Sequence, residues 1–468
     1  MHMLPQVHQK VLVADGLSPV SAYAALRGQA EGGSFLLESV VGGERWARYS
    51  ILGYRPKRQI VLFGQDGVDP FAELSQLAPS GQFVSGNPAE KFATAHVGLL
   101  CFEMVHFSTK VEKWPEPARG PIARLLSECT VVVFDHLTQR ITVASTDEGH
   151  VRDCEMLLRH APHLSPFDPP DPSALPNDIE LNMDDAAYSA AVERCREYIR
   201  AGDAFQIVPG RTFSVPTLGT DPFEVYRSLR VLSPAPYMYY LDFPKSDQVP
   251  ALVLAGASPE TLVRVEDGKV YLRPIAGTRR RGRNEEEDQA LADDMMADPK
   301  EIAEHVMLID LARNDIGRIA ETGSVHVPHR MFVERYSHVM HITSDVQGKV
   351  AHDQGPWDVL RATFPAGTLS GAPKVRAMQI IRELEPRPRG PYGGAIGYVT
   401  RGHDLDLAIG IRTVVMQGDR FEVTAGAGIV ADSDPRLECK ETRNKSHAAL
   451  SAVHAARERH KKAQLAAK

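Results

Sequence analysis

Acidic residues at helical spacing are the first candidates for chemistry in this chain. The segment Asp298-Pro299-Lys300-Glu301 has the form of a capping box, in which Asp298 caps a helix and Glu301 reaches back to the cap. Glu304 lies three residues further on, on the same helix face, and has no such local role. Its carboxylate is therefore a candidate for a function beyond helix stability.

A second acidic pair, Glu438 and Glu441, has the same spacing in a predicted C-terminal helix. Glu441 also stands four residues before Lys445, and such a pair on an exposed helix forms an ion pair worth only about 0.2–0.5 kcal/mol. The spacing alone leaves two interpretations open, a surface ion pair and a functional carboxylate.

Arg412 is predicted to lie in an otherwise apolar strand. An unpaired guanidinium is costly to bury, and a carboxylate that matches its planar fork would satisfy it, whether that carboxylate belongs to a ligand or to the protein. The turn Gly426-Ala427-Gly428 is a second candidate anion contact, because glycine lets backbone N–H groups approach a ligand closely. Such turns are common, so this signal is weak by itself.

Composition excludes several classes of function. The 468 residues are 43% hydrophobic and carry a net charge of −7, whereas nucleic-acid binding requires a concentrated basic surface. No apolar run of about 18 residues and no signal-peptide pattern occur, which predicts a cytoplasmic protein without a membrane span. The five cysteines form no C-x-x-C pair and predict reduced thiols rather than disulfides or a zinc site.

The N-terminal part of the chain is predicted to form β-strands. Alternating apolar and polar residues predict an antiparallel sheet from residues 34–38, 59–63, 96–103, 130–134 and 141–144. The proline-rich segment 165–178 predicts a linker between an N-terminal regulatory-type region, residues 1–164, and a catalytic region, residues 179–468.

The catalytic region mixes long helices with short strands. One helix is predicted to be capped by Asn182 or Asp184 and to end at Gly202, and further helices are predicted over residues 299–320 and 435–460. Strands are predicted over residues 205–208, 393–399, 407–415 and 421–425. This mixture predicts an α+β fold in which large antiparallel sheets pack as a sandwich with helices on the outer faces.

The chain resembles the chorismate-utilising enzymes in five ordered segments. They are Gly202–Val208, Ser258–Glu260, Pro274–Gly282, Asp298–His305 and Gly426–Val430. In this family, isochorismate and salicylate synthases carry a lysine base at the position of Gln206. Aminodeoxychorismate synthases carry a lysine nucleophile at the position of Ala276. Because both lysines are absent, the resemblance is to anthranilate synthase component I and implies ammonia as the nucleophile.

This resemblance implies that chorismate and ammonia are converted to anthranilate and pyruvate with Mg²⁺. It also implies a hetero-oligomer with a glutaminase subunit, since no cysteine and histidine arrangement typical of a glutaminase is present. Two rival functions stay open: an aminodeoxyisochorismate synthase that never eliminates pyruvate, and a non-catalytic subunit that binds chorismate or tryptophan.

The resemblance also implies a role for individual residues. The implied catalytic residues are Gln206, Ala276, Thr278, the general acid Glu260, and His341 with His338 as a packed neighbour. The implied substrate contacts are Gly277, Thr368, Tyr392, Arg412, Gly426, Ala427 and Gly428. The implied metal ligands are Glu304 and Glu441, supported by Glu301 and Glu438. An implied feedback site for L-tryptophan contains Glu38, Ser39, Pro236, Tyr237 and Met238.

One segment departs from the family pattern. After Gln206 the family usually reads a leucine, serine, glutamine and arginine, whereas this chain reads Pro209-Gly210-Arg211-Thr212. If the family's serine contributes to turnover or specificity, this chain differs there.

Overall fold

The computed structural model describes residues 6–13, 15–39, 48–65, 67–78, 87–114, 120–161, 164–336 and 339–466. Within these ranges the chain forms 13 α-helices and a 3-10 turn at Phe102–Met104. The helices are α1 (Pro19–Arg27), α2 (Pro70–Ser75), α3 (Pro88–Ala93), α4 (Val105–Ser108), α5 (Glu148–Arg159), α6 (Asp185–Arg200), α7 (Pro222–Leu232), α8 (Glu285–Ala297), α9 (Pro299–Gly317), α10 (Pro356–Thr363), α11 (Gly367–Ser370), α12 (Lys374–Leu384) and α13 (Pro435–Ala466).

The same ranges contain 23 strands. In chain order they are β1 (His8–Val13), β2 (Ser34–Glu38), β3 (Tyr49–Tyr54), β4 (Arg58–Phe63), β5 (His96–Leu100), β6 (Pro121–Ser127), β7 (Thr130–Asp135), β8 (Arg140–Ser145), β9 (Glu180–Leu181), β10 (Gln206–Ile207), β11 (Gly210–Pro216), β12 (Tyr237–Phe243), β13 (Leu252–Ser258), β14 (Thr261–Glu266), β15 (Lys269–Leu272), β16 (Ile275–Arg280), β17 (His326–Arg335), β18 (Val339–Lys349), β19 (Gly371–Ala372), β20 (Ala395–Val399), β21 (Leu405–Ile409), β22 (Thr413–Gln417) and β23 (Arg420–Gly426).

Two large antiparallel sheets organise the described part of the chain. The first has eleven strands in the order β1-β8-β7-β3-β2-β12-β13-β22-β23-β11-β9. The second has ten strands, in the order β16-β18-β15-β14-β21-β20-β5-β6-β4 with β17 paired to β18. Strands β10 and β19 form a separate pair. Each large sheet contains strands from both sides of segment 165–178, which itself has no helix or strand; the domain boundaries stay a prediction.

The two sheets pack face to face. Their shared core contains Val131 and Leu254 from the first sheet with Leu99 and Ile396 from the second. Neighbouring residues on the same strands, such as Val132, point to the other face and pack against helices α1, α5, α7 and α13. Helices α6, α9, α10 and α12 cover the second sheet. The predicted α+β sandwich with helices on its outer faces is confirmed.

Several local predictions are also confirmed. Helix α6 begins after Asp184, whose side chain accepts a hydrogen bond from the Ala187 N–H, so Asp184 rather than Asn182 is the cap. Helix α9 begins after Asp298, which accepts from the Lys300 N–H. The strands predicted for one early sheet are, however, divided between the two sheets, and the strand from His96 ends at Leu100.

The prediction of one continuous strand over residues 407–415 is wrong, because two strands of different sheets occupy this range. The chain leaves the second sheet after β21 and enters the first sheet at β22, so the segment Gly410–Arg412 crosses between the sheets. Arg412 adopts a left-handed backbone conformation, with φ 51°. It therefore lies in the crossing and not in a strand. No helix in the described ranges is long and apolar enough to cross a membrane.

Candidate active site

A bulge in strand β16 forms one side of the site. The pairing of β16 with β18 shifts register between Ala276 and Arg279, and Gly277 takes a left-handed conformation there, with φ 64°. The Gly277 carbonyl accepts a hydrogen bond from His341 Nδ1 at 2.9 Å, and Thr278 Oγ1 lies 3.2 Å from the same nitrogen. The predicted small-residue turn thus fixes the histidine ring.

This contact decides which nitrogen of His341 carries a proton. A carbonyl oxygen only accepts, so Nδ1 is the donor, and Nε2 carries the lone pair in the neutral ring. Burial lowers the pKa of His341, although its bond to Gly277 opposes that effect. His341 is therefore held neutral at pH 7, with Nε2 able to accept a proton. The neighbouring position His338 lies outside the described residues.

Glu260 lies in the turn between β13 and β14. Its carboxylate accepts a hydrogen bond from Thr368 Oγ1, at 2.9 Å from Oε1, and Thr368 belongs to the short helix α11. Burial raises the pKa of Glu260 to about 7, while Thr368 and the charge of Lys445 act against burial. A glutamate with this pKa is substantially protonated at neutral pH, as a general acid must be.

Gln206 connects the strand pair β10–β19 to helix α9. Its Nε2 donates to Glu304 Oε1 at 3.1 Å. A Cβ atom at Gly428 would stand 2.9 Å from the same nitrogen, so only glycine fits there without displacing the amide. The predicted site residues Gln206, Glu304 and Gly428 are thus brought together from three distant parts of the chain.

The glycine turn has a second neighbour in Tyr392. The Tyr392 hydroxyl would stand 2.7 Å from a Cβ at Gly426, and burial raises the pKa of that phenol to about 12. The Ala427 N–H already donates to the Pro209 carbonyl at 3.3 Å. The contact of this turn with the substrate stays a prediction.

Arg412 is tied to helix α13 instead of to a protein carboxylate. Its Nη1 donates to the Lys445 carbonyl at 2.8 Å. Burial lowers the pKa of Arg412, while Tyr392 and Glu441 favour its charged form. The left-handed crossing between the sheets thus brings this guanidinium beside the turn of α13 that carries Glu441.

The four predicted metal carboxylates lie on two helices, Glu301 and Glu304 on α9 and Glu438 and Glu441 on α13. Glu301 does not complete a capping box: its Oε1 is 3.2 Å from Arg279 Nη1, and the Asp298 N–H donates to Met295. That prediction is wrong, because Arg279 offers a charged partner at this point.

The bond between Glu441 and Lys445 that the spacing allowed is present, with Oε1 2.6 Å from Nζ. Lys445 Nζ also donates to the Gly426 carbonyl at 3.0 Å, so this half-exposed pair borders the glycine turn of the site. Burial, and then the charge of Glu441, raises the pKa of Glu438. A divalent cation would stabilise two carboxylates that disfavour each other in this way.

The chemistry of these side chains fits Mg²⁺, which prefers oxygen ligands and takes one or two carboxylates together with an anionic substrate. Among the described residues, no three acidic, histidine or cysteine side chains are close enough together to form a metal cage by themselves. Glu304 and Glu441, with Glu301 and Glu438 in support, remain the predicted ligands, and water and substrate would complete the shell of the ion.

A cavity of about 490 Å³ lies between the sheets, and neither Gln206 nor Glu260 lines it. All five residues of the implied tryptophan site line it: Glu38, Ser39, Pro236, Tyr237 and Met238. Glu38 is held by Tyr226 Oη at 2.6 Å and by Arg230 Nε at 2.9 Å. The hydroxyl of Ser39 is buried and has no hydrogen-bond partner within the part of the chain that the structure describes, which leaves a polar group for a ligand to satisfy.

Sequence reasoning missed a buried ion pair beneath the site. Arg389 binds both oxygens of Glu385, and its guanidinium also donates to the carbonyls of Val208 at 2.6 Å and Leu369 at 2.7 Å. The ring of Tyr392 lies 5.4 Å from the guanidinium carbon. Arg389 therefore joins the segments that carry Gln206, Thr368 and Tyr392. The only signal was the four-residue spacing of Glu385 and Arg389.

Comparison with known proteins places this arrangement in a family. The family model described as chorismate binding enzyme matches residues 34–451. Anthranilate synthase component 1 of Streptomyces coelicolor is 45% identical, with 97% of this chain and 90% of the relative covered. The Pseudomonas putida protein of the same name is 41% identical, with 94% of each covered.

The chain belongs to the anthranilate synthase component I family of chorismate-binding enzymes. A crystal structure of component I from Streptococcus pneumoniae is similar, with a TM-score of 0.76, 37% identity, and 94% of this chain and 99% of that chain covered. Membership in this family and the site geometry together support a specific reaction.

Proposed function

We propose that this chain is the large subunit of anthranilate synthase and converts chorismate and ammonia to anthranilate and pyruvate. The observation that carries the proposal is the chemistry at two positions. Gln206 is an amide bound to Glu304, and Ala276 is a small residue at the β16 bulge. Neither can act as the base or amine that the sister reactions need.

Lys445 does not replace the missing lysines. Its ammonium is held by Glu441 at 2.6 Å and by the Gly426 carbonyl at 3.0 Å. A charged ammonium with two acceptors is not a nucleophile. Ammonia that diffuses to ring carbon 2 is then the best nucleophile available.

Two side chains supply the proton transfers. Glu260, with its pKa raised to about 7, protonates the ring hydroxyl as it leaves. His341 Nε2 then accepts a proton during pyruvate elimination, because Nδ1 is already bound to Gly277. Arg412 holds a substrate carboxylate. Bound Mg²⁺ would neutralise negative charge on the substrate, and the α9 and α13 carboxylates would hold it in place.

The nitrogen source is proposed to be a separate glutaminase subunit. All five cysteines of the chain are unpaired and buried, and burial raises the pKa of Cys101, Cys129, Cys154 and Cys195. Buried thiols with raised pKa values make poor nucleophiles. Unpaired thiols also support the predicted cytoplasmic location, where disulfides are rare.

Feedback inhibition by L-tryptophan is proposed for the cavity between the sheets. Its lining combines apolar groups with the carboxylate of Glu38 and the unpartnered Ser39 hydroxyl, which suits an amino acid with a large apolar side chain. Tyr336 lines the same cavity, and its ring meets that of His341 at 5.8 Å. A ligand in the cavity therefore has a direct contact path to the active-site histidine.

One assay tests the reaction. Purified chain with chorismate, Mg²⁺ and ammonium is expected to produce anthranilate, followed by its fluorescence, and glutamine is expected to give no product until a glutaminase subunit is added. Isochorismate as the main product in abundant ammonium would contradict the proposal. Accumulation of aminodeoxyisochorismate would favour the rival that lacks pyruvate elimination, and no turnover at all would favour the non-catalytic subunit.

A further inference from the structure

The segment that departs from the family pattern contains a completely buried arginine. Arg211 lies on β11, opposite Ala425 of β23, and has 0% of its surface exposed. A buried guanidinium must have hydrogen-bond acceptors for its N–H groups. The identity of those acceptors indicates what Arg211 does.

Two of the acceptors belong to helix α13. Arg211 Nε donates to Thr442 Oγ1 at 2.9 Å, and Nη2 donates to the Cys439 carbonyl at 2.9 Å. Cys439 directly follows Glu438, and Thr442 directly follows Glu441. Successive residues of an α-helix are rotated by about 100°, so fixing positions 439 and 442 also fixes the direction of positions 438 and 441.

The remaining contacts hold Arg211 itself. Its Nη1 donates to Asp185 Oδ1, at 2.7 Å, in the first turn of α6. The guanidinium carbon lies 4.8 Å from the ring centre of Tyr188 and 5.4 Å from that of Phe213. A strand and two helices are therefore joined at one rigid, planar group.

We infer that Arg211 is a positioning residue that sets the height and rotation of α13, and through them the directions of the Glu438 and Glu441 carboxylates. The inference rests on the metal site proposed above. It gives the departure from the family pattern a role in this chain, because Arg211 reaches from β11 to the helix that carries two of the proposed ligands. The rival explanation is a core arginine that contributes only to stability.

The test compares two buried arginines. Arg124 is 2% exposed, donates to the carbonyls of Pro250 at 2.8 Å and Pro244 at 3.0 Å, and touches neither α9 nor α13 through these bonds. Arg211→Lys and the control Arg124→Lys both keep the charge and lose the planar fork. Mn²⁺ is the probe. Its binding is measured by the loss of the electron paramagnetic resonance signal of unbound Mn²⁺, with and without chorismate and in the absence of ammonium.

Both variants are expected to unfold at a lower temperature than the wild type. Only Arg211→Lys is expected to weaken Mn²⁺ binding, by about tenfold or more, which is the usual effect of removing a group that orients metal ligands. Arg124→Lys is expected to bind Mn²⁺ as the wild type does. Equal Mn²⁺ affinity in Arg211→Lys and wild type would overturn the inference. An equal loss of Mn²⁺ affinity in Arg211→Lys and Arg124→Lys would overturn it too. Neither result would contradict the metal site itself.

A wild type that shows no saturable Mn²⁺ binding under either condition would instead overturn the metal site itself, and the inference with it. If Arg211→Lys does not fold, Thr442→Val removes the acceptor of Nε together with the hydroxyl's own intrahelical bond to the Cys439 carbonyl. Its control is Thr363→Val, a buried threonine of α10 whose hydroxyl bonds within its own helix. The same difference in Mn²⁺ affinity is expected, and its absence would count against the role of Arg211.

Discussion

At the scale of single residues, burial gives Glu260 the protonation state that an acid needs. Burial raises its pKa to about 7. The hydrogen bond from Thr368 stabilises the carboxylate and therefore limits this rise. The acid form disappears as the pH rises through this value, so kcat/KM should fall on the alkaline side. Thr368→Val removes the stabilising bond, and the alkaline limb should move to higher pH.

The pH dependence of kcat/KM for wild type and Thr368→Val checks this expectation. Glu260→Gln, which cannot donate this proton, should lose roughly 10²–10⁴-fold in kcat, the usual contribution of a general acid. A limb that stays in place in Thr368→Val, or that moves to lower pH, would show that another group carries the titration.

His341 supports a second prediction about a single residue. In the proposed mechanism its Nε2 accepts a proton during elimination, whereas protonation of the leaving hydroxyl depends on Glu260. His341→Asn should therefore slow pyruvate elimination more than amination, and aminodeoxyisochorismate should accumulate. Chromatography of the products measures the ratio. If the variant made anthranilate as its sole product at a reduced rate, His341 would act before the intermediate forms.

At the scale of elements, the site depends on the close approach of separate chain segments. A Cβ at Gly428 would stand 2.9 Å from Gln206 Nε2 and push the amide away from Glu304. Because this nitrogen is the free end of a flexible side chain, Gly428→Ala should lower kcat by less than the roughly 10²-fold expected for a misplacement of about 1 Å in an active site. Gly317→Ala, at a position with open space around it, is the control. Equal steady-state kinetics in the two variants would show that the Gln206 amide does not need this close approach.

The buried ion pair beneath the site yields a prediction about how these elements are joined. Arg389→Met would leave Glu385 buried without its charged partner, which costs about 3–5 kcal/mol of the free energy of unfolding. Chemical denaturation measures this loss. Arg387→Met removes a half-exposed ion pair to Glu422 and should cost at most about 1 kcal/mol. A loss for Arg389→Met no larger than that would mean that the pair does not hold the segments together.

At the scale of the whole molecule, the sandwich places the cavity proposed to bind tryptophan close to the candidate active site, since Tyr336 of the cavity contacts His341. Ser39→Ala removes a hydroxyl that would bond the inhibitor, and a hydrogen bond of about 0.5–1.5 kcal/mol predicts a rise of roughly two- to tenfold in the tryptophan concentration for half inhibition. Ser34→Ala, on the same strand as the Glu38 carboxylate, is the control, because the buried Ser34 hydroxyl bonds Tyr23 and does not line the cavity. Wild-type activity that does not respond to tryptophan would remove the basis for this prediction.

The sequence by itself determined the elements whose signals are local. The cap at Asp298, the strand at Ser34–Glu38, and the long helices α9 and α13 follow from residues that are neighbours in the chain. The absence of lysine at positions 206 and 276 was likewise visible without coordinates, and it already separated the sister reactions. These features depend on residue type and short spacing, which a sequence contains in full.

Only the tertiary structure decided which groups meet. Thr368 reaches Glu260 across 108 positions, and Arg211 reaches Thr442 across 231. The fold also interrupts the predicted strand at Arg412. Glu301 forms an ion pair with Arg279 and does not cap its own helix. Local patterns could not reveal these outcomes, because the pKa of a buried carboxyl and the partner of a buried guanidinium depend on whatever the fold packs around them.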